Sequence, residues 1–213
     1  MTAAAAQIVI AARGGPDAKT RLAGVLTPDE RDGLAAAMLE VMLRRLGPAR
    51  CRVVSPTDSL LDLAAAFGAA PLRQTGGDLN AAFDQARADL DGPAVLLPGD
   101  LPLIQAEDLD AVIAAIATHD LVLSPAAADG GTACLAMTEP LAYPTRFGPD
   151  SFRSHRLQAR ERGLHVAVVR RPSLGLDIDR PEDLPQLDRL ARQDAAFGAF
   201  WRGLDRPVLR PAI

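Results

Sequence analysis

Short apolar runs alternate along this chain with longer stretches in which apolar residues recur every three or four positions. Uninterrupted runs of β-branched and aliphatic residues fall at Gln7–Ala12, Cys51–Ser55, Ala94–Pro98, Leu121–Ser124 and His165–Val169. Continuous rather than alternating hydrophobicity is the mark of strands covered on both faces. Between the first two lies the clearest helix, Pro28–Leu46. Thr27 stands at its cap, Pro28 at its first turn, and Glu30 completes a capping box. Leu34, Met38, Val41 and Met42 form one apolar stripe, and Arg44 and Arg45 followed by Gly47-Pro48 end it. The same period predicts helices at Leu60–Phe67, Leu79–Leu90, Glu107–Ala117, Phe152–Arg162 and Pro181–Arg192. Leu121–Met137 and Leu141–Gly148 are less periodic and are expected to carry substrate-facing loops. Strands alternating with helices predict an α/β fold with a mostly parallel central sheet.

The chain has 213 residues, 48% of them hydrophobic and 23% charged. That length accommodates one domain, expected over residues 1–193, with residues 194–213 as a C-terminal tail that includes Trp201 and wraps the core. A net charge of −4 argues against a nucleic-acid surface or an anionic membrane as partner. The first dozen residues lack a basic segment and are too short to span a bilayer, so the expected compartment is the cytoplasm. Cys51 and Cys134 have no metal-ligand or CxxC spacing and read as two buried, reduced thiols. A homodimer would be ordinary for a protein of this size.

Three stations carry candidate chemistry, each where an α/β fold gathers ligands, at the carboxyl ends of strands. The first is Arg13-Gly14-Gly15-Pro16-Asp17-Ala18-Lys19-Thr20-Arg21. A Gly-rich turn with exposed N–H groups, followed by Lys19 and Arg21, can hold phosphates, although a solvated basic turn has the same composition. The second is Leu97-Pro98-Gly99-Asp100-Leu101-Pro102, in which stiff prolines hold Asp100 at a strand end. A rigid carboxylate there suits Mg²⁺, and equally a turn or a cap. The third is Asp177-Ile178-Asp179. In an extended backbone both carboxylates point to one side with Ile178 buried opposite, and a cation would offset their repulsion. Asp179 also stands where a residue capping the Pro181 helix would stand. No GxSxG elbow is present, and His119, His155 and His165 lack ligand or triad spacing, which reads them as surface or capping residues. Basic turn and paired carboxylate stations together favour metal-assisted transfer at phosphorus.

The ordered set Ala18-Lys19-Thr20-Arg21-Leu22, Leu26–Arg31, Leu79-Asn80-Ala81-Ala82, Leu97–Pro102, Gly130-Gly131-Thr132, Phe147-Gly148 with Ser151-Phe152 and His155, and Leu176–Asp179 with Pro181–Leu184 resembles one family. It is that of the 2-phospho-L-lactate and phosphoenolpyruvate guanylyltransferases of deazaflavin coenzyme (factor 420) biosynthesis, within the molybdenum-cofactor guanylyltransferase type. The resemblance runs from about Ile8 to Leu187. It implies a Rossmann-like, three-layer nucleotidyltransferase fold of the nucleotide-diphospho-sugar transferase type, and transfer of GMP from GTP with Mg²⁺ to a small phosphorylated acid. That acid would be 2-phospho-L-lactate, phosphoenolpyruvate or 3-phosphoglycerate. By the same resemblance Asp100, Asp177 and Asp179 would hold metal, and Arg13, Lys19 and Arg21 would contact triphosphate. Asn80 and Pro98 would lie near the nucleotide, and Thr132, Gly148 and Ser151 around the acceptor. By the same resemblance the chain departs from the family near the end of the first strand, where members usually carry lysine and this chain has Arg13 and a Gly14-Gly15 turn, and at Ala133, where members often carry asparagine. The rival readings are the same fold with another acceptor or base, such as a sugar phosphate with CTP or a molybdopterin, and a nucleotide binder without turnover.

Overall fold

The computed structural model describes residues 6–139 and 143–204. Seven strands form one sheet: β1 (Gln7–Ala11), β2 (Cys51–Ser55), β3 (Ala70–Arg73), β4 (Ala94–Pro98), β5 (Leu121–Pro125), β6 (Thr132–Met137) and β7 (Val166–Val168). Their order is β3-β2-β1-β4-β6-β5-β7, with β6 antiparallel to both neighbours and every other pairing parallel. The expected α/β class with a mostly parallel sheet is what the chain adopts.

Two strands escape the apolar-run pattern. β6 lies in the stretch expected to be loop, yet all six of its residues are buried. Its Thr-Ala-Cys-Leu-Ala-Met sequence is low in β-branched residues, and burial on both faces removes alternation. β3 is a short, largely exposed edge strand containing Pro71. The Gln74 N–H bonds back to Ser55 O on β2, so Pro71 turns its missing donor to the open edge, where no bond is lost.

Eight helices complete the described elements: α1 (Pro28–Leu46), α2 (Asp58–Ala66), α3 (Leu79–Arg87), α4 (Ala106–Ile116), α5 (Ser151–Glu161), α6 (Pro172–Gly175), α7 (Leu184–Gln193) and α8 (Ala195–Gly203). α1 has the limits expected of it, and its capping box is formed: Glu30 N–H donates to Thr27 Oγ1 and Thr27 N–H to Glu30 Oε2. α1, α2 and α4 cover one face of the sheet, and α3 and α5 the other.

The expected single stripe on α1 is two. Met42 joins Leu39, Leu43 and Leu46 against the sheet, while Leu34, Met38 and Val41 face a third cluster built from Leu184, Leu187, Leu190, Phe197 and Trp201. α1 is therefore buried on two sides, by the sheet and by α7 with α8. In the stretch anticipated as a wrapping tail, residues 195–203 form α8, with Asp194 capping it through Phe197 N–H. Trp201 is 1% exposed, stacks on Phe197 and donates Nε1–H to Asp188 at 2.7 Å. Residues 205–213, with the prolines of that stretch, lie outside the described residues. Both cysteines are buried and free, and burial pushes the Cys51 thiol up to about 12. No described helix is long and apolar enough to cross a membrane.

Removing the Trp201 ring leaves a cavity between α1, α7 and α8 and takes away the Nε1–H donor to Asp188. Trp201→Ala is expected to lower the unfolding free energy by about 3–5 kcal/mol in urea titrations.

Candidate functional site

The order in which strands are added reverses between the two central parallel strands: β1 leads one way to β2 and β3, whereas β4 leads the other way toward β6, β5 and β7. Such a switch point opens a crevice at the carboxyl ends of the strands. Gly99 sits in it because β1 and β4 approach closely there. A Cβ at residue 99 would stand 2.9 Å from Ala12 Cα and 3.0 Å from Ala11 O. Asp100 follows directly, at the mouth.

Lys19 comes to meet it from the loop after β1. Its backbone is left-handed (φ 48°, ψ 42°), a conformation an L-lysine adopts only when its surroundings demand it. The surroundings are visible. The buried Arg31 guanidinium donates to Pro16 O at 2.7 Å and Ala18 O at 2.9 Å, fastening the loop to α1. Lys19 Nζ then lies 2.6 Å from Asp100 Oδ2 and 3.9 Å from Asp179 Oδ1, and Arg21 pairs with the other oxygen of Asp179.

The third station is joined to the second by its backbone, with Ile178 N–H donating to Asp100 O at 3.0 Å. Ile178 is fully buried, as alternation requires. Asp179 does not cap the following turn. Asp183 does, accepting both the Asp179 and Arg180 N–H groups and leaving the Asp179 carboxylate to the two cations. Burial, the Asp100 charge and then Asp129 push the Asp177 carboxyl up to about 6, against smaller opposing pulls from its own backbone N–H and from Lys19. Asp129, one residue before the Gly-Gly-Thr motif, is a contributor that spacing did not single out.

Residues of β1, Arg13, Lys19, Leu79, Pro98, Gly99, Asp100 and Asp179 line a cavity of about 200 Å³. A second lobe of about 230 Å³ shares Arg13 and Leu79 and adds Gln74, Asp78 and Ala82. Arg13 is exposed and reaches Gly77 O at 3.4 Å, spanning both lobes.

The structure gives partners to several groups that the sequence left open, and two readings change: the glycine-turn donors and His155. The glycine turn does not present free donors: Gly14 N–H is held by Thr57 Oγ1 and Gly15 N–H by Asp32 Oδ1, because those side chains lie directly beneath the turn. The Asn80 side chain does not face the cavity. Its amide brackets Phe147, accepting from Phe147 N–H and donating to Phe147 O, and so fixes the loop that holds Gly148.

Thr132 and Ser151 do come together beside that loop, but their hydroxyls turn inward, Ser151 Oγ donating to Thr132 Oγ1 at 3.1 Å. The first α5 N–H groups are also engaged, Ser151 to Gly148 O and Phe152 to Gly130 O. His155 is a core residue rather than a surface one. It is fully buried, and burial, with Arg146 nearby, lowers it to about 4. Its Nε2 accepts from Arg146 N–H, so the neutral ring carries its proton on Nδ1 and donates to Thr132 Oγ1 at 2.9 Å. Ala133, the position at which the resemblance led to an expected asparagine, is buried in the cluster beneath α1 and α4.

The sequence pattern of the "Guanylyl transferase CofC like" family matches residues 6–191. This chain belongs to the CofC-like guanylyltransferase family. The 3-phospho-D-glycerate guanylyltransferase of Phenylobacterium zucineum (strain HLK1) is 46% identical over 86% of this chain and 90% of its own length. The phosphoenolpyruvate guanylyltransferase of Rubrobacter xylanophilus is 41% identical over 80% of this chain and 87% of its own. Among solved structures, one from Desulfovibrio desulfuricans G20, assigned to the nucleotide-diphospho-sugar transferases, superposes with a TM-score of 0.73 at 21% identity. It covers 92% of this chain and 94% of its own and confirms the fold type. The CofC-like chain is thus a guanylyltransferase, and the motif set that resembled this family identified it.

The His155 network predicts an acid-sensitive stability. The unfolded histidine takes up a proton near 6.5 and the folded one only near 4, so stability is complete above 6.5 and declines as pH falls toward 4. The loss amounts to about 3 kcal/mol. Unfolding titrations across that window should show it in the parent protein and not in His155→Gln, whose stability is lower at neutral pH.

Proposed function

We propose that this CofC-like guanylyltransferase transfers GMP from GTP to 3-phospho-D-glycerate, releasing pyrophosphate, in deazaflavin coenzyme F420 biosynthesis. The observation that carries the reaction type is the Lys19 ammonium held between Asp100 and Asp179 at the switch-point crevice, with Arg21 alongside. The choice of acid rests on the 46% identity to the phosphoglycerate enzyme over nearly the whole chain. Phosphoenolpyruvate is the second reading, from the relative at 41%.

In this reading the polar lobe receives the triphosphate and the Gln74–Asp78 lobe the nucleoside. An acceptor phosphate oxygen, already largely ionised at neutral pH, attacks the α-phosphorus in line. The bond to the bridging oxygen of the β-phosphate breaks, and the pair of electrons leaves with pyrophosphate. No general base is needed. Lys19, Arg21 and Arg13 orient the triphosphate and stabilise the charge that grows on the departing pyrophosphate. The loops holding Thr132, Gly148 and Ser151 shape the acceptor's place through their backbone, since their hydroxyls are committed inward.

The residues fit Mg²⁺ by donor chemistry. Asp100 Oδ1 is buried with no hydrogen-bond partner, and burial first, then the Asp100 charge, disfavours an ionised Asp177 in the absence of a cation. Among the described residues no three acidic, histidine or cysteine side chains already converge at metal-binding spacing. Asp100, Asp177 and Asp179 would hold the ion, which supplies hard positive charge to offset repulsion between two anionic phosphates.

Pyrophosphate release should require Mg²⁺ and GTP, and proceed with 3-phospho-D-glycerate faster than with phosphoenolpyruvate or 2-phospho-L-lactate. The reverse order would move the acceptor to the second reading. Asp100→Ala and Asp177→Ala should each lower kcat at least about a hundredfold, corresponding to about 2.7–4 kcal/mol of lost electrostatic stabilisation, with an unchanged circular dichroism spectrum. Near-normal turnover in either would remove the metal assignment.

A further inference from the structure

The last strand of the sheet has an open side. His165 O accepts from Leu121 N–H, and Val169 N–H donates to Leu123 O, both on β5. By the alternation of a parallel pair, Val166 and Val168 turn their N–H and C=O groups outward, away from any described strand. Beyond this edge α5 overhangs a groove of about 600 Å³ floored by Phe152, Leu164 and Val166.

The groove combines two features that a solvated edge does not need. Leu157, 50% exposed on α5 and lining the groove, and Val168, 39% exposed on β7 two residues beyond the lining Val166, are the two large apolar side chains left exposed among the described residues. Around them stands positive charge. Arg153, Arg156 and Arg160 follow one another at i, i+3 and i+7 on the overhanging face of α5. Arg170 comes from beyond β7, and its guanidinium and that of Arg156 lie 5.7 and 5.8 Å from the Phe152 ring centre. None of these four has a carboxylate within 4.0 Å among the described residues, in a chain whose net charge is −4. The opposite edge is treated differently: on β3, Arg73 is paired with Asp58 and no large apolar side chain is exposed.

We propose that the β7 edge and the α5 overhang form a docking site for an acidic, extended segment of another protein, which adds to the sheet as a strand beside β7. Main-chain bonds to Val166 and Val168 would hold it in register, and every second side chain would turn toward α5. There carboxylates meet the arginine row, while an apolar residue packs on Leu157 and Val168. A second copy of this chain is the poorer occupant, because a two-fold pairing of β7 edges would bring two arginine rows together.

The test uses the whole protein and a fluorescein-labelled, alternating Glu-Val octapeptide, followed by anisotropy, with an alternating Lys-Val octapeptide and a single-stranded oligonucleotide as controls. Two variants separate the parts of the site and leave guanylyl transfer unchanged. Arg156→Glu with Arg160→Glu reverses the charge row. Val168→Pro removes one outward N–H without touching the ladder to β5. Saturable binding of the acidic peptide, weakened at least about tenfold by each variant and accompanied by slowed amide exchange at Val166 and Val168, supports the proposal. Binding unaffected by Val168→Pro, binding no tighter than that of the Lys-Val peptide, or no binding at millimolar peptide would overturn it. So would tighter binding of the oligonucleotide, or a parent dimer in sedimentation that the charge reversal dissociates.

Discussion

The site depends on one ammonium group placed among carboxylates that would otherwise repel. Lys19 Nζ touches Asp100 and approaches Asp179, which belong to segments far apart in sequence, and the Ile178–Asp100 backbone bond locks those two segments side by side. The left-handed backbone at Lys19 works against this arrangement by roughly 1–3 kcal/mol, so it persists only because its neighbours impose it. Those neighbours are named: Arg31 grips the loop from α1, and Asp32 and Thr57 hold the glycine turn. The buried arginine and the exposed chemistry are two ends of one constraint.

That constraint reaches back to the packing of α1. Arg31 can hold the loop only if the helix beneath it does not move, and α1 is fixed from two directions, by the sheet through Leu39, Met42 and Leu43 and by α7 and α8 through Leu34, Met38 and Val41. Trp201 closes the second contact. A residue near the end of the chain thus steadies the turn that presents Lys19, through apolar burial alone and with no direct bond to the site.

Features set by local chemistry could be read directly. α1 announced both ends through its capping box and its Gly-Pro stop, and the Asp177-Ile178-Asp179 alternation placed Ile178 in the core. The order of motifs identified the family even where each was short. What could not be read was set by long-range partners. β6 has no signal of its own because burial on both faces erases alternation. The donors of Gly14 and Gly15 look free in sequence and are taken by residues from α1 and from the turn before α2. The Asn80 amide pairs with the Phe147 backbone, far away in sequence, which its motif does not show. His155 offers no ligand spacing, since it acts on a threonine hydroxyl and a backbone amide rather than on a metal.

Under the proposed function, the acceptor side would obey a different logic from the nucleotide side. Around the lobe lined by Lys19, Asp100 and Asp179, charged side chains stand at the crevice. Beside Gly148, by contrast, Thr132, Ser151 and His155 form a closed chain of hydrogen bonds facing the core, and position 133 is apolar and buried. Side chains held this way cannot reach out to a ligand, but they fix the backbone between them to within a hydrogen bond's tolerance. Selection among small phosphorylated acids would then come from loop shape and from the nearby Asp129 charge. Under the proposed function, acceptor preference would lie in the path of the 129–132 and 147–151 segments, where a change of shape would alter which acid fits without disturbing Lys19 or Asp100.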